Sequence, residues 1–134
     1  MSISESRSNA VKAQQEKPFD LCERTRQFAL RIIRLCLALE KKSGVVRTLG
    51  GQVLQSGTSI GANVEEGQGG QSRRDFIAKY SIARKEGRET RYWLRLLMES
   101  GVMGRASIQP LYQECEEIVK ILTSIIKKAG QAKE

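Results

Sequence analysis

Apolar or small side chains recur at alternating steps of about three and four residues in four separate segments, and this repeat constrains the fold more than any other feature. The third segment has the most regular repeat, with the residues Phe76, Tyr80, Ala83, Gly87, Thr90, Leu94 and Leu97. Such spacing places these side chains on one face of an α-helix. The other three repeats run from Leu21 to Leu39, from Val46 to Val64 and from Leu111 to Ile125. Together the four repeats predict an all-α protein.

Polar and glycine-rich stretches separate the repeats and set the expected helix bounds. We predict helices at approximately 19–42, 45–66, 72–99 and 107–128. Ser72, with Asp75 three residues later, has the pattern of a helix N-cap. Because the loops are short, neighbouring helices are expected to run antiparallel as an up-down four-helix bundle over residues 18–129. A polar leader at 1–17, expected to be disordered, precedes the bundle, and a tail at 130–134 follows it.

The stretch from Gly57 to Gly67 resembles a phosphate-binding loop, yet it lies inside the second repeat. A P-loop needs a Lys after its last glycine, and none follows Gly61, Gly67 or Gly70. Each glycine in a helix interior costs about 1 kcal/mol relative to Ala, so a close contact should offset it. We therefore expect a neighbouring backbone to approach on the side of Gly57 and Gly61, and Gly61→Leu to disrupt the bundle.

Several helices carry more apolar residues than one stripe requires. Leu30, Ile33 and Leu37 lie outside the stripe of the first helix, and Tyr92 and Trp93 lie outside that of the third. Soluble monomers usually avoid exposed apolar patches, which favours a homo-oligomer. The alternative is that these residues line a wider core.

Two segments resemble a known family. Residues 56–67, and Asp75-Phe76 together with residues 82–97, resemble the bacterial four-helix-bundle proteins encoded in intervening sequences of 23S rRNA genes. A more distant relative is the accessory protein of diversity-generating retroelements. The resemblance runs from about Phe19 to Lys128. It departs from many members at the entry to the second helix, where residues 42–45 replace a Pro-x-x-Glu pattern.

The resemblance implies an up-down bundle that assembles as a homopentamer, with a basic surface and no known enzymatic activity. In the retroelement relatives the pentamer binds nucleic acid and a reverse transcriptase. Within the two matching segments we interpret six residues as a structural motif: Gly57, Gly61, Asn63, Glu66, Glu86 and Glu89.

The net charge is +8, and the excess lies on the first and third helices. Two series of basic residues recur there at helical spacing: Arg84, Arg88, Arg91 and Arg95 on the third helix, and Arg24, Arg31, Arg34 and Lys41 on the first. The third-helix series spans about 16 Å of helix axis, so its guanidinium groups are able to bind successive phosphates. We predict a non-enzymatic module that binds RNA or DNA mainly through phosphates.

Two alternatives to nucleic-acid binding remain open. The arginines could form a solvated face with paired acids, for example Arg84 with Glu65 or Glu66. The protein could also be a scaffold or accessory subunit for a protein partner, with its positive charge serving solubility. Trp93 with Tyr92 could stack on single-stranded bases, although packing at an interface is favoured.

The residue inventory argues against catalysis and cofactors. Histidine is absent and the three cysteines form no C-x-x-C pair, which excludes a His/Cys zinc site and a disulfide framework. A di-iron centre is excluded for the same lack of His, so Glu86 and Glu89 are interpreted as partners of nearby arginines. We expect no catalytic set, cofactor or metal. No apolar run has the length of a membrane span, and a cytoplasmic protein with reduced cysteines is expected.

Overall fold

The computed structural model describes residues 20–131. Four helices make up this part of the chain: α1 is Asp20–Leu39, α2 is Gly44–Gln68, α3 is Arg73–Ser100 and α4 is Arg105–Gln131. The prediction of an all-α bundle is therefore confirmed. The expected leader at 1–17 and residues 132–134 of the expected tail lie outside the described residues.

Two helix ends differ from the sequence-based expectation. α1 ends at Leu39 rather than near residue 42, because the Lys42 amide donates to the Leu39 carbonyl at 3.0 Å and tightens the chain into a turn. α4 begins at Arg105 and continues through Gly130 to Gln131, two residues that were expected to belong to the tail. Glycine permits a left-handed helix end but does not impose one. Gly101, with φ 75°, does end α3 in that way.

Helices that are neighbours in sequence pack side by side, and diagonal pairs do not meet. A Cβ built on Gly57 of α2 would approach Ile32 of α1, and one on Gly61 would approach Thr25. The order along α1 is thus the reverse of that along α2, as an antiparallel pair requires. The fourth side of the bundle is different, because α1 and α4 touch much less than the other neighbouring pairs.

The core consists of the four predicted stripes, with Phe28, Ile60, Leu94 and Ile118 among its fully buried side chains. Polar contacts between hydroxyl and carbonyl groups also lie within it. The Thr25 hydroxyl donates to the Leu21 carbonyl at 2.8 Å. Thr90 Oγ1 of α3 lies 2.9 Å from Ser56 Oγ of α2. These polar groups are buried with partners, which avoids the cost of an unsatisfied hydroxyl.

Glycines let the helices approach closely at four places. A Cβ at Gly57 would lie 2.9 Å from Ile32 Cγ1, and one at Gly61 would lie 3.2 Å from Thr25 Oγ1 and 3.4 Å from the Thr25 backbone carbon. The contact at Gly67 is tighter still, because a Cβ there would lie 2.6 Å from Tyr80 Cδ1. A Cβ at Gly87 would lie 2.9 Å from Val119 Cγ2. Small residues therefore set the packing on both sides of α2 and between α3 and α4.

Among residues 20–131, no helix is both long enough and apolar enough to cross a membrane.

Candidate nucleic-acid interface

The α3 series, defined as Arg84, Arg88, Arg91 and Arg95, lies along the edge of α3 that faces α4. Burial raises the pKa of the Cys115 thiol on α4 to about 12, and the nearby charge of Arg91 counteracts part of that rise. Tyr112, also on α4, lies close enough to Arg95 to interact with its charge. The opposite edge of α3 faces α2, where Thr90 meets Ser56.

Three members of the α3 series have no acidic partner in the described part of the chain. Arg95 Nε donates to Glu99 Oε1 at 3.0 Å, and this hydrogen bond raises the pKa of Arg95. Arg84, Arg88 and Arg91 form no ion pair between residues 20 and 131. The alternative pairing of Arg84 with Glu65 or Glu66 is not formed, because Glu66 Oε2 lies 3.2 Å from Lys79 Nζ on the α2-facing edge.

The α1 series is defined as Arg24, Arg31, Arg34 and Lys41, and its first three members face α4 from the other side. Arg24 forms a two-bond ion pair with Glu114 of α4, in which Nε–Oε2 is 2.8 Å and Nη2–Oε1 is 2.7 Å. This hydrogen bonding raises the pKa of Arg24. Lys41 lies in the turn after α1 and is exposed.

Arg31 and Arg34 line a cleft of about 320 Å³ between α1 and α4, opposite Ser107 and Leu111. Among the described residues, neither arginine forms an ion pair. The cleft lies where α1 and α4 make few contacts.

The two basic series therefore flank α4, and we call this side of the bundle the basic flank. α4 carries acidic residues between them, of which Glu114 pairs with Arg24 and Glu117 pairs with Lys120 at 3.8 Å. Helical spacing revealed each series separately. It did not reveal that both face the same helix, because that depends on which neighbour each helix edge meets.

The remaining acidic and amide residues of the sequence motif lie away from the basic flank. Asn63 Nδ2 donates to the Ser59 carbonyl at 2.8 Å within α2. Glu86 is half-buried, and its pKa is raised by burial and then by the charge of Glu89. No arginine in the described range pairs with Glu86 or Glu89, which corrects the expected pairing. Glu86 follows Lys79 by seven residues, so it lies on the α2-facing edge of α3, away from the α3 series.

Residues 20–131 contain no cluster of three or more His, Cys, Asp or Glu side chains that could hold a metal ion. Cys22, Cys36 and Cys115 are free thiols. Burial raises the pKa of Cys36 to about 11 and that of Cys115 to about 12. Such thiols are protonated at neutral pH and are poor nucleophiles.

The adjacent aromatic residues Tyr92 and Trp93 have different environments. The Tyr92 side chain is 56% exposed, whereas Trp93 packs against the core. Their ring centroids are 5.2 Å apart in an edge-to-face arrangement. Trp93 Nε1 is buried and has no hydrogen-bond partner among the described residues. By sequence both rings are candidates for one stacking site, whereas in the structure Tyr92 is exposed and Trp93 packs against the core.

A second surface, which we call the apolar flank, lies on the α1–α2 side. It is defined by the exposed side chains of Leu30, Ile33, Leu37 and Leu54. A cavity of about 210 Å³ opens there between α1 and α2, with Gly50 and Gly51 among its lining residues.

Comparison with known proteins identifies the family to which this bundle belongs. The family model described as 23S rRNA-intervening sequence protein matches residues 17–124. A similar solved structure is that of a protein with unknown function from the S23 ribosomal protein family of Bacteroides thetaiotaomicron. It is 41% identical, has a TM-score of 0.73, and the match covers 80% of this chain and 98% of that one. A search of curated proteins gives no match. The chain belongs to the family of 23S rRNA-intervening sequence proteins.

Proposed function

We propose that this protein is a non-enzymatic, oligomeric helical bundle that binds RNA or DNA mainly through backbone phosphates, and that the basic flank is the binding surface. The observation that carries the proposal is the set of three arginines on one edge of α3 without an acidic partner between residues 20 and 131. An unpaired guanidinium binds a phosphate without first breaking an ion pair, so its charge is fully available.

The α3 series supplies the main contacts in this proposal. Arg84 to Arg95 spans 11 residues, or about 16 Å of helix axis, so several phosphates of one strand are within reach. Arg31 and Arg34 on the other side of α4 add contacts. Arg24 contributes less, because its guanidinium is held by Glu114 at 2.7 and 2.8 Å.

The proposal includes a homo-oligomer, a pentamer as the family resemblance implies. Its support within this chain is the apolar flank, since Leu37 is 61% exposed and Leu30, Ile33 and Leu54 are each 40% exposed. Five chains of charge +8 would carry 5 × 8 = +40, a field that concentrates polyanions. Free thiols fit the proposed cytoplasmic location.

The test is the salt dependence of binding. Affinity for mixed-sequence RNA and duplex DNA, measured by fluorescence anisotropy at several salt concentrations, should fall with a log-log slope of about −0.9 per phosphate contacted on duplex DNA. Replacing Arg84, Arg88, Arg91 and Arg95 together by Gln should weaken binding and reduce the slope by up to about 3.6, that is 4 × 0.9.

A matched control removes the same charge elsewhere. The variant Arg26→Gln, Lys42→Gln, Arg47→Gln, Lys79→Gln takes four positive charges from positions outside the two basic series. Arg26 pairs with Glu23, Lys79 pairs with Glu66, and Arg47 donates to the Lys42 carbonyl. It should retain most of the affinity. Equal losses in both variants would show that net charge alone attracts the nucleic acid. Absence of binding at low ionic strength, or binding independent of salt, contradicts the proposal.

The apolar flank favours a second candidate function, that of a scaffold or accessory subunit for a protein partner. A patch of four exposed aliphatic side chains beside a cavity has the character of an interaction site. An intact oligomer whose nucleic-acid affinity is unchanged in the arginine variant would favour this second function.

A further inference from the structure

We propose that the basic flank takes single-stranded nucleic acid, with Tyr92 as the platform on which an unpaired base stacks. The inference rests on the proposed nucleic-acid binding and specifies its ligand. It is carried by the position of one exposed ring within the α3 series.

Tyr92 lies four residues after Arg88 and three residues before Arg95. Side chains at these spacings are surface neighbours on a helix, so the ring has a guanidinium one turn away on each side. The ring is 56% exposed, whereas Tyr80, the other tyrosine of α3, is fully buried. Arg88 is also exposed and has no ion pair within residues 20–131.

The Tyr92 ring has a fixed neighbour. Trp93 meets it at a centroid distance of 5.2 Å and an interplanar angle of 68°, and Trp93 itself packs against the core. A ring held in this way loses little rotamer freedom when a ligand binds. Arg95 on the next turn has an exposed ion pair with Glu99, which a phosphate would have to replace.

An unpaired base is the ligand that this arrangement fits. In a duplex the faces of the bases are covered by stacking, so an exposed ring finds no partner there. In a single strand every base presents a π-face, and aromatic stacking combines with arginine contacts to the flanking phosphates. Arg88 and Arg95 would bind phosphates on either side of the base that covers Tyr92.

The experiment compares a 20-nucleotide oligo(dT) with a mixed-sequence 20-base-pair duplex at one salt concentration. Tyr92→Leu should weaken oligo(dT) binding by about 5- to 150-fold. Duplex binding should change by less than about twofold, and Tyr92→Phe should retain oligo(dT) affinity because stacking needs the ring and not the hydroxyl. Since Tyr92→Leu removes no charge, its salt slope should equal that of the parent.

Two further measurements separate stacking from a structural role. Trp93 is the single tryptophan of the chain, so its fluorescence should change on addition of oligo(dT) and should not change on addition of duplex. Ile82→Ala, at another exposed apolar position of α3, should leave both affinities intact. The mass of Tyr92→Leu, measured by light scattering, should equal that of the parent.

Each contrary result has its own meaning. If the parent binds both ligands and Tyr92→Leu binds oligo(dT) normally, or loses both affinities equally, the stacking site is wrong and the proposed function stands. If the oligomer of Tyr92→Leu dissociates, Tyr92 is a subunit contact and the stacking site is again wrong. If the parent binds neither ligand, the proposed function fails as well.

Discussion

Helices α2 and α4 occupy opposite corners of the same bundle and are held by different means. α2 packs closely against α1 and α3 through small residues, with Gly57 against Ile32 and Gly67 against Tyr80. α4 packs closely against α3 but touches α1 sparsely, and the two-bond ion pair between Arg24 and Glu114 spans that side. The comparison shows that one bundle can be tight where glycines allow approach and open where charged side chains need room.

Gly57→Leu should disrupt the close packing of α2 against α1 and should cause the largest loss of stability among the variants proposed here. A Cβ at Gly57 would already lie 2.9 and 3.0 Å from two carbons of Ile32, which is β-branched and fully buried. We expect a loss of about 3 kcal/mol or more in the free energy of unfolding, measured by urea denaturation. As a control, Gly51→Ala places its Cβ in open space and should gain up to about 1 kcal/mol. A folded Gly57→Leu with parental stability would show that α2 is not tightly held.

Thr90→Val should weaken the polar contact between α2 and α3. The change removes the hydroxyl that lies 2.9 Å from Ser56 Oγ in the core, and we expect a loss of about 1 to 2 kcal/mol by urea denaturation. Thr123→Val on α4 is the matched control, because within residues 20–131 its hydroxyl bonds only the Val119 carbonyl of its own helix, and it is half-buried. Equal losses in the two variants would contradict a role for the contact between helices.

Glu114→Gln should change both the stability of the protein and its affinity for nucleic acid, because Glu114 lies on the sparsely packed side between α1 and α4. Losing the ion pair should cost about 1 kcal/mol of stability, since both side chains are partly exposed. The same change frees Arg24, so affinity for duplex DNA in the anisotropy assay should rise. Glu117→Gln alters the net charge equally and breaks an exposed pair with Lys120 at 3.8 Å. It leaves the two hydrogen bonds between Arg24 and Glu114 in place and removes a weaker charge interaction with Arg24. If both variants raise affinity alike, Arg24 contributes nothing specific.

Glu86→Gln should have the smallest effect on stability, and it tests whether Glu86 has a partner on the α2-facing edge of α3. The folded-state pKa of Glu86 is raised, so the folded protein binds the proton more tightly than the unfolded chain does. The ionised carboxylate therefore costs stability at pH 7, and Gln should gain up to about 0.5 kcal/mol. The gain should disappear below about pH 4, where the carboxyl is protonated in both states. A destabilised variant at pH 7 would show that Glu86 has an unrecognised partner.

The sequence predicted the features that depend on one helix at a time. Heptad spacing identified all four stripes, and the steps of four, three and four placed the α3 series on one edge of α3. The features it missed depend on two helices. Arg24 and Glu114 are 90 positions apart, and no local spacing connects them. Gly87 belonged to a recognised stripe, yet only the position of Val119 on α4 shows that it is a contact.

The same limit explains the wrong pairings. Glu65 and Glu66 were plausible partners for Arg84 by proximity in the bundle, and Glu86 and Glu89 were plausible partners for arginines on the same helix. Each of these pairings depends on which edge of α3 faces α2, and the sequence alone does not give that. Lys79 occupies that edge and pairs with Glu66, while the arginines lie on the other edge.

The pattern of helix contacts also bears on how the chain reaches its fold. Almost all close packing joins helices that follow one another in sequence, and the one contact between the first and last helices is sparse. Proteins dominated by such local contacts have low contact order and fold in microseconds to milliseconds. Hairpins of adjacent helices can form in succession, with little loop-closure entropy to overcome at each step. We therefore expect α1 to close against α4 late in folding, with little effect on the folding barrier.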